Sequence, residues 1–101
     1  MSELATKSSQ SRTPSTTVLL HAAKIAIVQD RPIMMDYWND AVDKVAFVGV
    51  KPDGDERLLV KNGSEYTSPI SKIFKVGEEY IISTENSLYI VPSDIGSKYI
   101  S

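Results

Sequence analysis

The stretch EEYIISTENSLYIVPSD, residues 78–94, decides how the rest of the chain is read. Two apolar runs, Tyr80–Ile82 and Leu88–Val91, flank the polar pair Glu85-Asn86, which is the pattern of an antiparallel hairpin. A two-residue turn at Glu85-Asn86 sets Thr84 opposite Ser87, Ser83 opposite Leu88 and Ile82 opposite Tyr89. Ile81 then meets Ile90, and Tyr80 meets Val91. Because side chains alternate across a strand, one face carries Ile81, Ser83, Leu88 and Ile90. The other carries Tyr80, Ile82, Tyr89 and Val91. A hairpin apolar on both faces needs two covers, since a contiguous exposed apolar patch marks a contact surface. The tyrosine face is therefore expected to be buried by the 16–29 helix or by another chain, which makes Tyr80, Ile82, Tyr89 and Val91 candidate protein-interaction residues.

Working outward, residues 1–15 are rich in Ser and Thr and almost free of large apolar groups. Such a segment cannot repay the entropy of ordering and is expected to be a flexible tail, with one globular domain at 16–101. Residues 16–29, TTVLLHAAKIAIVQ, read as a helix with Ser15, Thr16 or Thr17 as cap. Leu19, Ala22, Ala23 and Ala26 form its expected inner stripe, widened by Val18 and Ile25. Ile27 and Val28 blur that stripe and leave a strand open at the helix end, while Pro32 discourages helix at Arg31.

The remaining signals are almost all β. Ile33–Trp38, Val45–Lys51, Arg57–Lys61, Lys72–Val76, Glu79–Thr84 and Ser87–Val91 read as strands, with Ser64–Ser71 as a loop and Lys98–Ile100 as an optional last strand. Turns fall at PDGDE and at Gly77-Glu78. Short strands joined by tight turns favour antiparallel neighbours. The fold class is thus α+β, mainly β: an N-terminal helix, then five to six short antiparallel strands in a small SH3-like barrel or strongly twisted sheet. The ending YIVPSDIGSKYI is like the close of an SH3-type barrel.

Composition narrows the chemistry. The chain has 101 residues, 42% apolar, with a net charge of −2, a poor balance for coating nucleic acid or anionic lipid. There is no cysteine, which removes disulfides, thiol catalysis and thiolate metal sites, and fits an intracellular, reducing setting. No apolar run approaches the length of about 20 residues that spans a membrane, and the N-terminus lacks a secretory core. His21 is the single histidine and has no triad signature around it. Asp36, Asp40 and Asp43 are close in sequence, but solvated loop carboxylates are the expectation over a magnesium or calcium site. Asp53-Gly54-Asp55-Glu56 reads as a hairpin turn, since the spaced ligands of an EF-hand are missing. Asn62-Gly63-Ser64 reads as a turn rather than a glycosylation acceptor. RPIMMDYW, residues 31–38, has the look of the approach to a thioredoxin site, but the paired cysteines are absent. No cofactor, no metal and no enzymatic activity are expected.

One basic and aromatic constellation keeps nucleic acid open. Lys72, Phe74, Lys75 and Tyr80 interleave as in small barrels that stack bases within a positive groove, although Glu65, Glu78, Glu79 and Glu85 weaken the field. RPIMMDYW at 31–38 and EYTSPISKIFKVGEEYIISTENSLYIV at 65–91 resemble a small uncharacterised family encoded by large double-stranded DNA viruses, of the chlorella-virus and mimivirus kind. The likeness spans roughly residues 18–95. It brings no catalytic motif, so no functional residues transfer. What it implies is setting: the virion, or the cytoplasm or nucleus of an infected host cell. The expected function is a non-catalytic, virion-associated or accessory interaction module that forms a homo-oligomer, a dimer first of all, or binds another protein. The alternative is a small β-barrel binding single-stranded nucleic acid.

Overall fold

The computed structural model describes residues 12–52, 54 and 56–100. Helix α1 covers Thr16–Gln29, with the Ser15 hydroxyl accepting from the Val18 N–H at 3.1 Å. It stops where Asp30 turns left-handed at φ 55° and its N–H returns to the Ala26 carbonyl. Strand β1 is only Ile33–Met34, followed by a short helix, α2, at Trp38–Val42. The rest are β2 (Phe47–Val50), β3 (Arg57–Val60), β4 (Tyr66–Val76), β5 (Glu79–Thr84), β6 (Leu88–Pro92) and β7 (Gly96–Tyr99).

The hairpin register is the one the turn implies: Tyr80↔Val91, Ile81↔Ile90, Ile82↔Tyr89 and Ser83↔Leu88. Strands β2 to β6 form an antiparallel meander within one open sheet of order β1-β6-β5-β4-β3-β2-β7. Among the described residues the sheet has seven strands and does not close into a barrel, which corrects the SH3-like barrel of five or six. Nor is it wholly antiparallel, because β1 runs parallel to β6 and β7 parallel to β2. The sheet must nonetheless curl. Laid flat, β6 and β7 would be five strand spacings apart, about 24 Å. Only Ser93–Ile95 joins them, a link reaching at most about 14 Å.

Strand β4 makes the bend. Its first half pairs with β3 and its second with β5, and the register shifts once in each ladder. Side-chain hydroxyls fill the gaps those shifts leave. Thr67 Oγ1 accepts from the Leu59 N–H at 3.1 Å, and Ser71 Oγ donates to the Ser83 carbonyl at 2.9 Å. Pro69 sits between them, opposite Leu58, where the irregular ladder tolerates a residue without an N–H. The loop expected over Ser64–Ser71 is therefore mostly strand. Bulges of this kind raise local twist, and here they fold the β2–β3 half over the β5–β6 half.

Two cores result, one on each face of the β5–β6 hairpin. The outer one joins Val18 and Ala22 of α1 and Trp38 to Ile81, Leu88 and Ile90. The inner one joins Tyr37, Ala41, Ala46, Val48 and Leu59 to Ile82 and Val91. The expected strand at Ile33–Trp38 ends early because Tyr37 and Trp38 point into different cores from the entry to α2, which a helical turn permits. Of the expected tail, residues 1–11 lie outside the described set. Arg12 accepts from Trp38 Nε1 through its carbonyl at 2.9 Å, with its guanidinium 5.7 Å from the indole centroid.

Candidate functional site

Helix α1 is apolar on both sides but buries only one. Val18 and Ala22 are fully buried, with Ile25 and Ala26 half-buried beside them. On the other side Leu20, Ile27 and Val28 are 60%, 80% and 84% exposed, and Leu19 and Ala23 are exposed too. The expected inner stripe was thus turned by about one position: Leu19 and Ala23 face out, while Val18 takes the core. No Asp or Glu occurs between Thr16 and Gln29, where Lys24 is the only charged residue if His21 is neutral. A slot of about 300 Å³ runs between α1 and β4, lined by Lys24, Ile25, Val28, Gln29, Lys72 and Phe74. The Lys72 ammonium lies 5.8 Å from the Phe74 ring centroid.

Polar ties hold the helix at both ends. At its start, the buried Glu79 carboxylate accepts from the Ser15 hydroxyl at 2.9 Å and from the Ser15 N–H at 3.3 Å. At its end, Arg31 Nη1 donates to Gln29 Oε1 at 3.1 Å and to Ser83 Oγ at 2.8 Å. Ser83 Oγ in turn donates to Gln29 Oε1 at 3.3 Å. The outward face is consequently presented by a fixed helix, which lowers the entropy lost on contact with a partner.

The tyrosine face of the hairpin behaves differently from expectation. Ile82 and Val91 are fully buried, and Tyr80 and Tyr89 half-buried. Helix α1 does not cover them. Val48 and Leu59 of the folded-over half do so, together with Tyr37, Ala41 and Ala46. Tyr37 meets Tyr89 edge-on, with ring centroids 5.1 Å apart at 68°. Burial, and then the neighbouring Tyr89, pushes the Tyr37 hydroxyl well above the ordinary tyrosine value. Burial likewise raises Tyr89.

The basic and aromatic set is divided by the sheet. Lys72 and Phe74 face α1, whereas Lys75 pairs with Tyr80 on the inner face. The four do not form one surface. Among the described residues, no group of three or more His, Cys, Asp or Glu side chains is placed to hold a metal ion. Asp40 instead caps a turn through its carbonyl, which accepts from the Val45 and Ala46 N–H groups at 2.8 and 2.9 Å. Asn62 forms the expected turn, its Oδ1 accepting from the Ser64 N–H at 3.0 Å and from the Glu65 N–H at 3.2 Å. Among the described residues no helix is long and apolar enough to cross a membrane.

The surface that sequence reasoning missed is the outward face of α1. Its signal was present in Leu19, Leu20, Ile27 and Val28, which give the helix a second apolar side. No protein-family model matches the chain, and comparison with curated proteins and with solved structures returns no match.

Proposed function

We propose that this protein is a non-catalytic protein-interaction module that uses the outward face of α1, with the adjoining slot against β4, to self-assemble or to bind another protein. The observation carrying this reading is the exposure of Leu20, Ile27 and Val28 on a helix whose opposite side already fills the core. Apolar side chains grouped on one fixed helix favour burial against a complementary apolar surface. The viral setting rests on the resemblance of residues 31–38 and 65–91.

The test compares the wild type with Ile27→Asp and Leu20→Asp in sedimentation velocity across a wide concentration range, and in affinity capture from infected or native cells. Self-assembly or a captured partner should disappear in both variants, while circular dichroism and the urea midpoint stay close to wild type. A strict monomer from which no protein is captured, or assembly and capture that survive both substitutions, defeats the proposal.

A further inference from the structure

The curl of the sheet makes a second feature, on the opposite side from α1. Along the inner face, register sets Val50 opposite Arg57 and Lys75 opposite Tyr80. Ser97 stands beside Val48 on the parallel β2–β7 pair. Val48, Val50, Arg57, Tyr80 and Ser97 meet at one open end of the trough and bound a cavity of about 250 Å³. Val50, Ile73 and Ile95 supply its apolar surface, and Arg57, Tyr80 and Ser97 its polar groups.

The polar groups at this cavity are of one kind. A guanidinium and two hydroxyls can all donate, and no carboxylate lines the space. Arg57 makes no ion pair among the described residues. Among the described residues, Glu56 pairs with Lys51 at 3.7 Å, Asp94 pairs with Lys44 at 2.9 Å, and Glu79 accepts from Ser15 across the sheet. Lys75, the cross-strand partner of Tyr80, lies outside the lining and puts a second positive charge on the same face of the sheet. An apolar recess with a few donors converging at its mouth is the ordinary form of a small-molecule site. The planar guanidinium selects a carboxylate, which it can hold by two parallel hydrogen bonds.

We infer that the open end of the inner trough binds a small monocarboxylate with a compact apolar or aromatic body, its carboxylate on Arg57 and its body against Val50, Ile73 and Ile95. The site stands apart from the α1 surface and does not depend on it.

Methyl-labelled protein titrated with benzoate, benzyl alcohol and acetate tests this by NMR. Benzoate should shift the Val50, Ile73 and Ile95 methyls saturably, with benzyl alcohol and acetate each binding at least about tenfold more weakly. Arg57→Gln should weaken benzoate about tenfold or more, and Lys75→Gln by a smaller factor. Arg57 is exposed, so its replacement leaves the methyl spectrum of the core unchanged and the variant readable. Absence of saturable shifts at these methyls overturns the inference. So does benzyl alcohol or acetate binding as tightly as benzoate, or benzoate affinity that Arg57→Gln does not lower.

Discussion

Ile27 and Ile82 are the same side chain in opposite settings, and replacing each with alanine separates a contact surface from a core. Ile82 has no exposed area and lies at the centre of the inner core, between Val48 and Leu59 on one side and Val91 on its own. Its truncation leaves a cavity that the two folded halves of the sheet cannot easily close, and should cost about 2–5 kcal/mol. Ile27 is 80% exposed, so about a fifth of its surface contributes to folding. Full burial of such a side chain is worth about 1.5–3 kcal/mol, which leaves about 0.3–0.6 kcal/mol at risk. Alanine is the better helix former and returns a few tenths of a kcal/mol, so the net change should lie within about 0.5 kcal/mol. Urea unfolding of the purified chain, at several protein concentrations and with the slope checked for constancy, measures both. Ile82→Ala should move the thermal midpoint by on the order of 10 °C or more, and Ile27→Ala hardly at all. If Ile27→Ala costs as much as Ile82→Ala at every concentration, the outward face of α1 is buried within the chain and the reasoning fails. If it does so only where the wild-type midpoint rises with concentration, the loss belongs to an assembly through that face.

Thr67→Val keeps shape but removes the acceptor of the buried Leu59 N–H, and should cost about 1–3 kcal/mol, with faster hydrogen exchange at the Leu59 amide. Exchange no faster than wild type would mean that the hydroxyl is not what completes that ladder. Tyr37 and Tyr89 keep their protons in the folded chain at pH values where unfolded tyrosines lose them. Their contribution is therefore complete below the ordinary tyrosine pKa near 10 and is lost as pH rises beyond it toward the higher folded values, so urea midpoints should fall through that range and fall less steeply in Tyr37→Phe. The Lys44 ammonium, by hydrogen bond, holds the Asp94 carboxyl below the usual carboxylate range. An NMR titration of Asp94 should move up toward the ordinary value in Lys44→Gln; because the pair is exposed, stability should change little, and only as pH falls through the carboxylate range.

Local chemistry made several elements legible from residues alone. Ser15, the apolar run after it and Pro32 delimit α1 at Thr16–Gln29. Glu85-Asn86 sets the β5–β6 register, because a two-residue turn leaves one pairing available. Both faces of that hairpin being apolar required two covers, and there are two. Their identity was not legible. Alpha-helical periodicity says which residues share a side, but Leu19, Leu20, Ile27 and Val28 give α1 two apolar sides, and only packing chooses between them. The first half of β4, up to Ser71, reads as a loop because Pro69 argues against a central strand, until the register shifts and the Thr67 and Ser71 hydroxyls supply what the backbone lacks.

The division between the two levels follows distance along the chain. Turns, caps and hairpin pairing depend on residues within a few positions of one another, and the 101-residue string carries them openly. The parallel pairings of β1 with β6 and β7 with β2 join segments far apart in sequence, with no turn to announce them. The curl of the sheet, the closure of Tyr80, Ile82, Tyr89 and Val91 under β2 and β3, and the meeting of Arg57 with Tyr80 all come from those long-range contacts. They exist only once the bend in β4 has brought the two halves face to face.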